Sequence, residues 1–401
     1  MAENEAQMKI ATIIGARPQF IKAAAISRAI AEHNQTNSLS MIEEILVHTG
    51  QHYDDEMSAI FFRELEIPEP KYNLGIGGHD AASCPPIPNS HGRQTGQMLT
   101  GIEEVLLKEK PDWVLIYGDT NSTLAGALAA AKLHIPIAHV EAGLRSYNRL
   151  MPEEINRVVA DQLSQLLLCP SQVAVENLAA EGISPRDDVD GSRKNAKFRD
   201  LAPKVLIVGD VMADALQFAA TKASTQSDIL TRLGLQPQGY LLATVHRAEN
   251  TDDPDRLGHI MAALSELAER EPVILPLHPR TKKILEDSFL SRPTPNPSLK
   301  LIDPVGYFDI IALEKSARMI LTDSGGMQKE AHWLKVPCIT LRDETEWVET
   351  VESGWNTLSG AASEKIVNAV QVFQPPATHP MLYGNGQAAE KIVNIISGKG
   401  V

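Results

Sequence analysis

Short apolar segments alternate with longer helical periods along most of the chain, and this alternation restricts the fold more than any other feature. The segments at residues 9–14, 113–117, 137–140 and 166–169 are apolar and have the length of buried strands. Helical periods separate them. Strands and helices that alternate in this way form a parallel sheet with helices on both faces. The sequence therefore predicts an α/β protein.

A polar, charged stretch at residues 184–203 interrupts the alternation, which restarts with a predicted strand at 205–208. With 401 residues the chain is also long for one domain. We therefore predict two Rossmann-like doubly wound domains, at residues 1–190 and 200–380, and a C-terminal helix at about 384–401 that belongs to the first. Their strand ends are expected to line a central cleft that binds a substrate. A second polar stretch, residues 68–90, is predicted to be a mobile flap or disordered.

The composition limits the classes of partner. Lys and Arg number 37 against 51 Asp and Glu, so the net charge of −14 argues against nucleic acids and acidic membranes as partners. No apolar run approaches the roughly 20 residues of a membrane span, and the N-terminus lacks a signal-peptide core. The cysteines, Cys84, Cys169 and Cys338, are odd in number and lack metal-binding spacing. We therefore expect reduced thiols and a cytoplasmic location.

The sequence TDSGG at residues 322–326 joins a predicted strand to a predicted helix. Gly325 and Gly326 allow backbone to approach a ligand closely, and the free N–H groups at a helix start favour an anion. One interpretation is a turn that binds a nucleotide diphosphate, with Glu330 one helical turn later at the ribose hydroxyls. The other is an ordinary tight turn in which Ser324 caps the helix. The motif alone favours neither.

Charged residues also follow the predicted strands of the first half. Arg17 and Lys22 lie on the first loop and on the helix that it opens, Asp119 and Glu141 follow two later strands, and Glu153 opens a helix. Each alone has the alternative of a solvated or helix-capping charge. Three carboxylates at one sheet edge instead favour acid–base chemistry, because neighbouring carboxylates can have their pKa values pushed apart.

In the second half, His246 and Arg247 follow one predicted strand and His278 follows the next. His246 is a candidate for phosphate contact or proton transfer, with an ordinary polar strand end as the alternative. The spacing of histidines and carboxylates matches no zinc motif, and neither a phosphate loop of the GxxxxGK type nor a GxGxxG fingerprint is present. The sequence therefore argues against a bound metal and against NAD or ATP as cofactor.

The motifs occur together in the order of a known family: GARP at 15–18, TGQH at 49–52, GDT at 118–120, HVEAGLR at 139–145, PEE at 152–154, HRAEN at 246–250 and TDSGG at 322–326. From about residue 9 to the last helix, the chain resembles the non-hydrolysing UDP-N-acetylglucosamine 2-epimerases. The resemblance implies a fold of the glycosyltransferase-B type, a homodimer, and inversion of C2 of UDP-GlcNAc to give UDP-ManNAc for surface polysaccharides. In the family, UDP leaves to give a 2-acetamidoglucal and then re-adds, with no redox cofactor or metal.

The resemblance also implies roles for individual residues. The implied catalytic residues are Asp119, Glu141, Glu153 and His246. The implied substrate-binding residues are Arg17, Lys22, Ser324, Gly325, Gly326, Glu330 and Arg342. A second, regulatory UDP-GlcNAc site would include Gln51 and His52.

Two segments depart from the pattern of many members. The chain has ARPQ at 16–19 in place of Thr-Arg-Pro-Glu, and EWVE at 346–349 in place of Glu-Arg-Pro-Glu. Both variants are similar to the branch that epimerises UDP-2,3-diacetamido-2,3-dideoxyglucuronate for O-antigen synthesis, and that sugar is the alternative substrate. A glycosyltransferase on the same fold and a sugar-nucleotide sensor without catalysis are further alternatives. The three carboxylates favour the epimerase over both.

Overall fold

The computed structural model describes residues 8–37, 40–51, 65–76, 91–183, 203–288 and 296–398. The chain divides into two compact units, Met1–Ala215 with Tyr383–Val401, and Leu216–Leu382. Each unit is built on one parallel sheet with helices, which confirms the predicted α/β class. None of the described helices combines the length and the apolar character that crossing a lipid bilayer requires.

In the described part of the first unit, seven parallel strands form one sheet. They are β1 (Met8–Ile14), β2 (Ile42–His48), β3 (Tyr72–Asn73), β4 (Trp113–Tyr117), β5 (Ile137–Val140), β6 (Leu166–Cys169) and β7 (Lys204–Ile207). Their spatial order is β3-β2-β1-β4-β5-β6-β7. The order reverses between β1 and β4, and at such a point the loops after two neighbouring strands leave in opposite directions and open a crevice.

The sheet of the second unit has six parallel strands among the residues that the structure describes. They are β8 (Leu241–Thr244), β9 (Val273–Pro276), β10 (Leu299–Ile302), β11 (Met319–Thr322), β12 (Cys338–Thr340) and β13 (Asn356–Leu358). Their spatial order is β10-β9-β8-β11-β12-β13, so the reversal lies between β8 and β11. Most side chains of β8, β9 and β11 are buried, because helices cover both faces of a parallel sheet.

Helices connect the strands. In chain order they are α1 (Arg17–Thr36), α2 (His91–Glu109), α3 (Asn121–Lys132), α4 (Pro152–Leu163), α5 (Gln172–Ala180), α6 (Val211–Gln226), α7 (Ile229–Leu233), α8 (Ala248–Thr251), α9 (Pro254–Leu267), α10 (Pro279–Ser288), α11 (Tyr307–Ser316), α12 (Gly325–Trp333), α13 (Val348–Glu352), α14 (Ser363–Val372) and α15 (Ala388–Ile396). Helix α15 packs against α1. Its first turn is held by Asp214, which accepts hydrogen bonds from the backbone of Ala388 (3.2 Å) and Ala389 (2.9 Å).

The strand β7 belongs to the first sheet, although the sequence pattern predicts that a second domain begins here. It pairs with β6 from Leu166 opposite Lys204 to Cys169 opposite Ile207. The sequence pattern assigns β7 to the second domain because a long polar stretch precedes it. The sequence of an edge strand does not indicate which sheet the strand joins. Residues 184–202 of that stretch lie outside the described residues.

The first part of the predicted flap is an edge strand. Of residues 68–90, the structure describes those up to 76, and β3 there pairs with the end of β2. The Tyr72 hydroxyl donates a hydrogen bond to Glu109 of α2, and Lys71 Nζ lies 3.0 Å from the same carboxylate. These contacts give a two-residue strand a fixed position that its sequence alone does not indicate.

Candidate active site

The ends of β1, β4 and β5 bring a lysine close to carboxylates in the first unit. Lys22 of α1 donates a hydrogen bond from Nζ to Oε2 of Glu141, which directly follows β5. Gly118, the residue before Asp119, lies next to this pair. A Cβ added to Gly118 would be 3.2 Å from Glu141 Oε2 and 3.3 Å from Lys22 Nζ. The reversal point of the sheet thus carries three of the residues that the sequence singles out.

The charge of Lys22 is stabilised by its neighbours. Burial lowers the pKa of Lys22. The charge and the hydrogen bond of Glu141 raise it, and the charges of Asp210 and Asp119 raise it further. The net pKa lies above the ordinary value of a lysine. Lys22 is therefore an ammonium ion at neutral pH.

The backbone of Glu141 has a φ of 69°, in the left-handed region that non-glycine residues seldom adopt. Two hydrogen bonds hold this conformation, from the backbone N–H groups of Glu141 (3.0 Å) and Ala142 (3.2 Å) to the carbonyl of Leu168 in β6. Such strain persists where surrounding structure imposes it, and it is commonest at functional sites. Here it directs the Glu141 side chain toward Lys22.

Asp119 is positioned by α4. Its carboxylate accepts a hydrogen bond from Arg157, and its backbone carbonyl accepts one from Asn156 Nδ2 at 2.9 Å. Arg157 Nη1 also donates to Glu154 Oε2 at 3.0 Å. The sequence analysis assigns no role to Asn156 or Arg157. The available signal is their spacing, since they follow Glu153 by three and four residues on the same helix face.

The two carboxylates that open α4 differ in environment. Glu154 is 2% exposed and accepts hydrogen bonds from Ser146 N, Ser146 Oγ and Tyr147 N, each at 2.9 Å. Burial raises its pKa, but these bonds and the charge of Arg157 outweigh burial and leave the pKa lowered. Glu153 is half-buried, and the described residues give its carboxylate no hydrogen bond or ion pair. Glu154 therefore holds the loop after β5, whereas Glu153 is accessible to a ligand.

Two further residues of the HVEAGLR motif surround a buried carboxylate. His139 Nδ1 lies 2.7 Å from Asp161 Oδ1, and His139 Nε2 lies 2.7 Å from the carbonyl oxygen of Gly118. Arg145 Nη1 donates to Asp161 Oδ2 at 2.7 Å. Burial raises the pKa of Asp161, but His139 and then Arg145 lower it, with a net pKa below the ordinary value. This buried network fixes the turn that carries Asp119.

The residues of the first loop have a structural role in the described part of the chain. Gln19 is buried, and its Oε1 accepts hydrogen bonds from Gly15 N (2.8 Å) and Ala16 N (3.0 Å). Its Nε2 donates to the carbonyl of Tyr117 at 2.9 Å. A glutamate at this position would lack that donor. Helix α1 begins at Arg17, whose side chain lies outside the described part of the structure.

Gln51 contacts the start of α3. Its Oε1 accepts hydrogen bonds from Ser122 N (3.0 Å) and Ser122 Oγ (2.7 Å), so it satisfies a backbone donor at the helix N-terminus. His52 lies outside the described residues. A regulatory site at Gln51 and His52 stays a prediction.

In the second unit, a buried aspartate organises the loop after β8. The Asp323 carboxylate is fully buried and accepts hydrogen bonds from His246 N (3.1 and 3.0 Å to its two oxygens), Arg247 N (3.0 Å) and Asn250 Nδ2 (3.1 Å). The His246 ring is 33% exposed, with Nδ1 3.3 Å from Asp323 Oδ1. Its centroid lies 5.4 Å from that of His278. Asp323 thus orients His246 at the reversal point, a role that the sequence analysis does not assign.

The TDSGG turn is as tight as its sequence predicts. Ser324 caps α12, since its Oγ accepts a hydrogen bond from Met327 N at 3.4 Å. A Cβ added to Gly325 would overlap Glu346 Oε1 and lie 2.9 Å from Trp347 Nε1. Gly326 is exposed, and among the described residues the atom nearest to a Cβ added there is Ser324 Oγ, at 3.8 Å. Ser324 therefore acts as a helix cap, and the exposed first turn leaves room for a ligand.

Glu330 and Arg342 lie beyond this turn. Glu330 is half-buried on α12. Burial of Glu314 on α11, and then the charge of Glu330, raise the pKa of Glu314 well above the ordinary value. Arg342 follows β12, and its side chain is only 13% exposed. Arg342 Nη1 donates to Glu346 Oε2 at 2.8 Å, and its Nε lies 3.6 Å from Glu249 Oε2. The second unit therefore places His246, the glycine turn and Arg342 at one edge of its sheet.

The sequence matches a family model along most of its length. The model is described as UDP-N-acetylglucosamine 2-epimerase, and it matches residues 34–397. The chain belongs to the UDP-N-acetylglucosamine 2-epimerase family. This confirms the resemblance that the ordered motifs indicate.

Relatives in this epimerase family resemble the chain over almost its whole length. A UDP-N-acetylglucosamine 2-epimerase homolog of Methanococcus maripaludis is 51% identical over 392 residues, which cover 97% of this chain and 99% of the relative. The UDP-2,3-diacetamido-2,3-dideoxy-D-glucuronate 2-epimerase of Pseudomonas aeruginosa is 50% identical over 394 residues, with the same coverage. Both branches weighed from the sequence are thus represented.

A solved epimerase structure shares the fold. The UDP-GlcNAc 2-epimerase of Methanocaldococcus jannaschii, in complex with UDP-GlcNAc and UDP, is 43% identical. It superimposes with a TM-score of 0.77 and covers 98% of this chain and 100% of its own. The likeness confirms the predicted fold of two Rossmann-like units of the glycosyltransferase-B type.

Proposed function

We propose that this protein inverts C2 of UDP-N-acetylglucosamine to give UDP-N-acetylmannosamine, a precursor of surface polysaccharide. The observation that carries the proposal is the group formed by Lys22, Glu141 and the Gly118–Asp119 turn at the reversal point of the first sheet. Such a group suits proton transfer beside an anionic substrate. Family membership and the 43% identical structure with UDP-GlcNAc and UDP support the substrate class.

The proposed reaction proceeds by elimination and re-addition. A carboxylate removes the proton from C2, the C1–O bond breaks, and UDP leaves with the bonding electron pair, which produces a 2-acetamidoglucal. An acid then protonates C2 from the opposite face, and a UDP oxygen re-forms the bond to C1. Asp119, Glu141 and Glu153 are the proposed acid–base residues. Two proton transfers on opposite faces require more than one such group.

The leaving diphosphate needs positive charge and N–H donors. We propose that the exposed first turn of α12 supplies the donors. The proposed ligands of UDP and the reacting sugar are Arg17, Lys22, His246, Ser324, Gly325, Gly326, Glu330 and Arg342, with Glu330 at the ribose.

A second candidate substrate is UDP-2,3-diacetamido-2,3-dideoxyglucuronate. It is favoured by the 50% identity to the Pseudomonas aeruginosa epimerase and by the EWVE sequence at 346–349. In the structure, Glu346 and Trp347 of this segment pack directly on Gly325. The segment that varies between the branches therefore adjoins the proposed diphosphate turn.

Product analysis with both sugars tests the proposal. The purified protein is incubated with each UDP-sugar separately, and the products are separated by anion-exchange chromatography and identified by NMR. A manno product from UDP-GlcNAc supports the leading proposal. Turnover of the diacetamido uronate alone moves the assignment to the second candidate. Transfer of the sugar to an added acceptor contradicts both and indicates a glycosyltransferase.

We also propose a homodimer located in the cytoplasm, with a regulatory UDP-GlcNAc site at Gln51 and His52. The support for the dimer and the regulatory site is family resemblance, and the support for the location is that Cys169 and Cys338 are free and buried. Burial raises the pKa of both thiols to about 12. Sedimentation velocity of the protein at micromolar concentration measures the oligomeric state, and cell fractionation the location. Binding of more than one UDP-GlcNAc per chain tests the regulatory site.

A further inference from the structure

A carboxylate of the chain itself lies where the proposed site would hold an anion. Glu346 Oε1 lies beside Gly325, the first residue of α12, and in this position it would overlap a Cβ added to that glycine. Two arginines share the same carboxylate: Arg342 Nη1 lies 2.8 Å from Glu346 Oε2, and Arg247 Nη2 lies 3.7 Å from Oε1. Glu346 thus lies beside the first residue of α12 and two guanidinium groups, and helix N-termini and guanidinium groups also bind phosphates.

The carboxylate is able to leave this position while its loop stays in place. The Glu346 side chain is 43% exposed, whereas its neighbours are anchored. Thr345 Oγ1 donates to Gln328 Oε1 at 2.6 Å, and Lys329 Nζ lies 4.1 Å from the centroid of the Trp347 ring. Rotation of this one side chain would therefore separate the Glu346 carboxylate from Arg247, Arg342 and the start of α12.

Glu346 is charged at neutral pH. Burial raises its pKa, but a bond from its own backbone N–H and the charges of Arg342 and Arg247 lower it, with a net pKa below the ordinary value. A diphosphate that binds the same arginines and the same helix turn must displace the Glu346 carboxylate. A nucleoside without phosphate can bind without displacing it.

We propose that Glu346 lowers the affinity of the site for its substrate, because it competes with the diphosphate for Arg342, Arg247 and the N-terminus of α12. This inference rests on the proposed function, because it takes the TDSGG turn as the diphosphate site. When a site is available only part of the time, the apparent dissociation constant rises in proportion. Glu346 therefore weakens the binding of every ligand that reaches the turn through its phosphates and leaves uridine unaffected.

Calorimetric titration of the full-length protein with UDP, uridine and inorganic pyrophosphate tests the proposal. The variant Glu346→Gln keeps the size of the side chain and removes its charge. The expected result is that UDP and pyrophosphate bind about tenfold more tightly to this variant, while the affinity for uridine is unchanged. An unchanged melting temperature in thermal unfolding establishes that the variant is folded.

The matched control is Glu249→Gln. Glu249 also lies beside Arg342, at 3.6 Å, and its side chain is 42% exposed, but the described atoms nearest to a Cβ at Gly325 belong to Glu346 and Trp347. Equal tightening in this control would mean that any nearby negative charge weakens binding, and it would overturn the proposal. Unchanged or weaker UDP and pyrophosphate binding by Glu346→Gln would overturn it as well.

The titrations also separate this inference from the proposed function. If wild-type protein binds pyrophosphate but not UDP, and Glu346→Gln binds pyrophosphate more tightly, the competition stands and the UDP assignment fails. If wild-type protein binds UDP and Glu346→Gln binds it no more tightly, the competition fails and the UDP assignment stands.

Discussion

The loop that carries His246 depends on one buried carboxylate, and its removal should have a large cost in stability. Asp323 accepts hydrogen bonds from the backbone of His246 and Arg247 and from the side chain of Asn250. The substitution Asp323→Asn keeps the shape of the side chain but replaces one acceptor oxygen with an NH₂ group. That group would face backbone N–H donors.

The cost follows from the bonds that are lost. A hydrogen bond to a charged group contributes about 1.5–3 kcal/mol, and a buried donor without an acceptor costs about 1–3 kcal/mol. One lost bond and one opposed donor therefore destabilise the fold by about 3–5 kcal/mol. The affected unit is Leu216–Leu382, and in a unit of this size each kcal/mol lowers the melting temperature by about 2–4 °C. We expect a decrease of roughly 10 °C.

Scanning calorimetry measures this decrease, with Asp343→Asn as the control. Asp343 lies in the same unit and pairs with Arg256 Nη1 at 3.0 Å, but its side chain is 66% exposed. An exposed ion pair contributes less than about 1 kcal/mol, so the control should melt within a few degrees of wild type. The reasoning is refuted if Asp323→Asn melts no lower than Asp343→Asn.

Two further predictions concern α4 and a buried histidine. Glu153→Gln should lower turnover by at least about 100-fold with UDP binding retained, because a general acid–base residue contributes that much. Glu154→Gln should mainly lower the melting temperature, because it loses buried hydrogen bonds. Steady-state rates and UDP titration distinguish the two variants, and normal turnover in Glu153→Gln would exclude Glu153 as an acid–base residue. Burial, and then the charge of His379, lowers the pKa of His332 to about 4. The pKa of His332 is lower in the folded protein than in the unfolded chain. Neutral His332 therefore makes its full contribution to the free energy of unfolding above pH 6.5. This contribution falls by at most about 3 kcal/mol as the pH decreases toward 4. Urea denaturation at several pH values should show that this loss is smaller in His332→Phe, and an identical pH slope in both proteins would contradict the assignment.

Strands could be predicted where their own sequences carry a local signal. Trp113–Tyr117, Ile137–Val140 and Leu166–Cys169 are apolar runs bounded by polar or turn residues, and the structure has these three strands at the predicted residues. Asn356–Leu358 is only three residues long, and pairing with β12 rather than its own composition makes it a strand. The sequence analysis therefore does not predict it.

The location of the candidate site residues at strand ends could also be predicted, because strand ends of parallel sheets meet at one edge. The residues that form hydrogen bonds and ion pairs with them could not be predicted. Asp323 holds backbone groups that precede it by 77 and 76 residues, and Arg157 pairs with Asp119 at a separation of 38. Contacts at such separations depend on the folded sheet and leave no local pattern. The different environments of Glu153 and Glu154 likewise follow from the loop that packs on α4.

The central claim is that this protein breaks and re-forms the C2–H bond of a UDP-sugar, and hydrogen exchange with solvent measures that step directly. The purified protein is incubated with UDP-GlcNAc in deuterated water, and the sugars are analysed by proton NMR and mass spectrometry. The account predicts UDP-ManNAc with deuterium at C2, and deuterium at C2 of the recovered UDP-GlcNAc. A manno product that retains the original hydrogen would contradict the mechanism. The absence of exchange with both UDP-GlcNAc and its diacetamido uronate relative would contradict the proposed function.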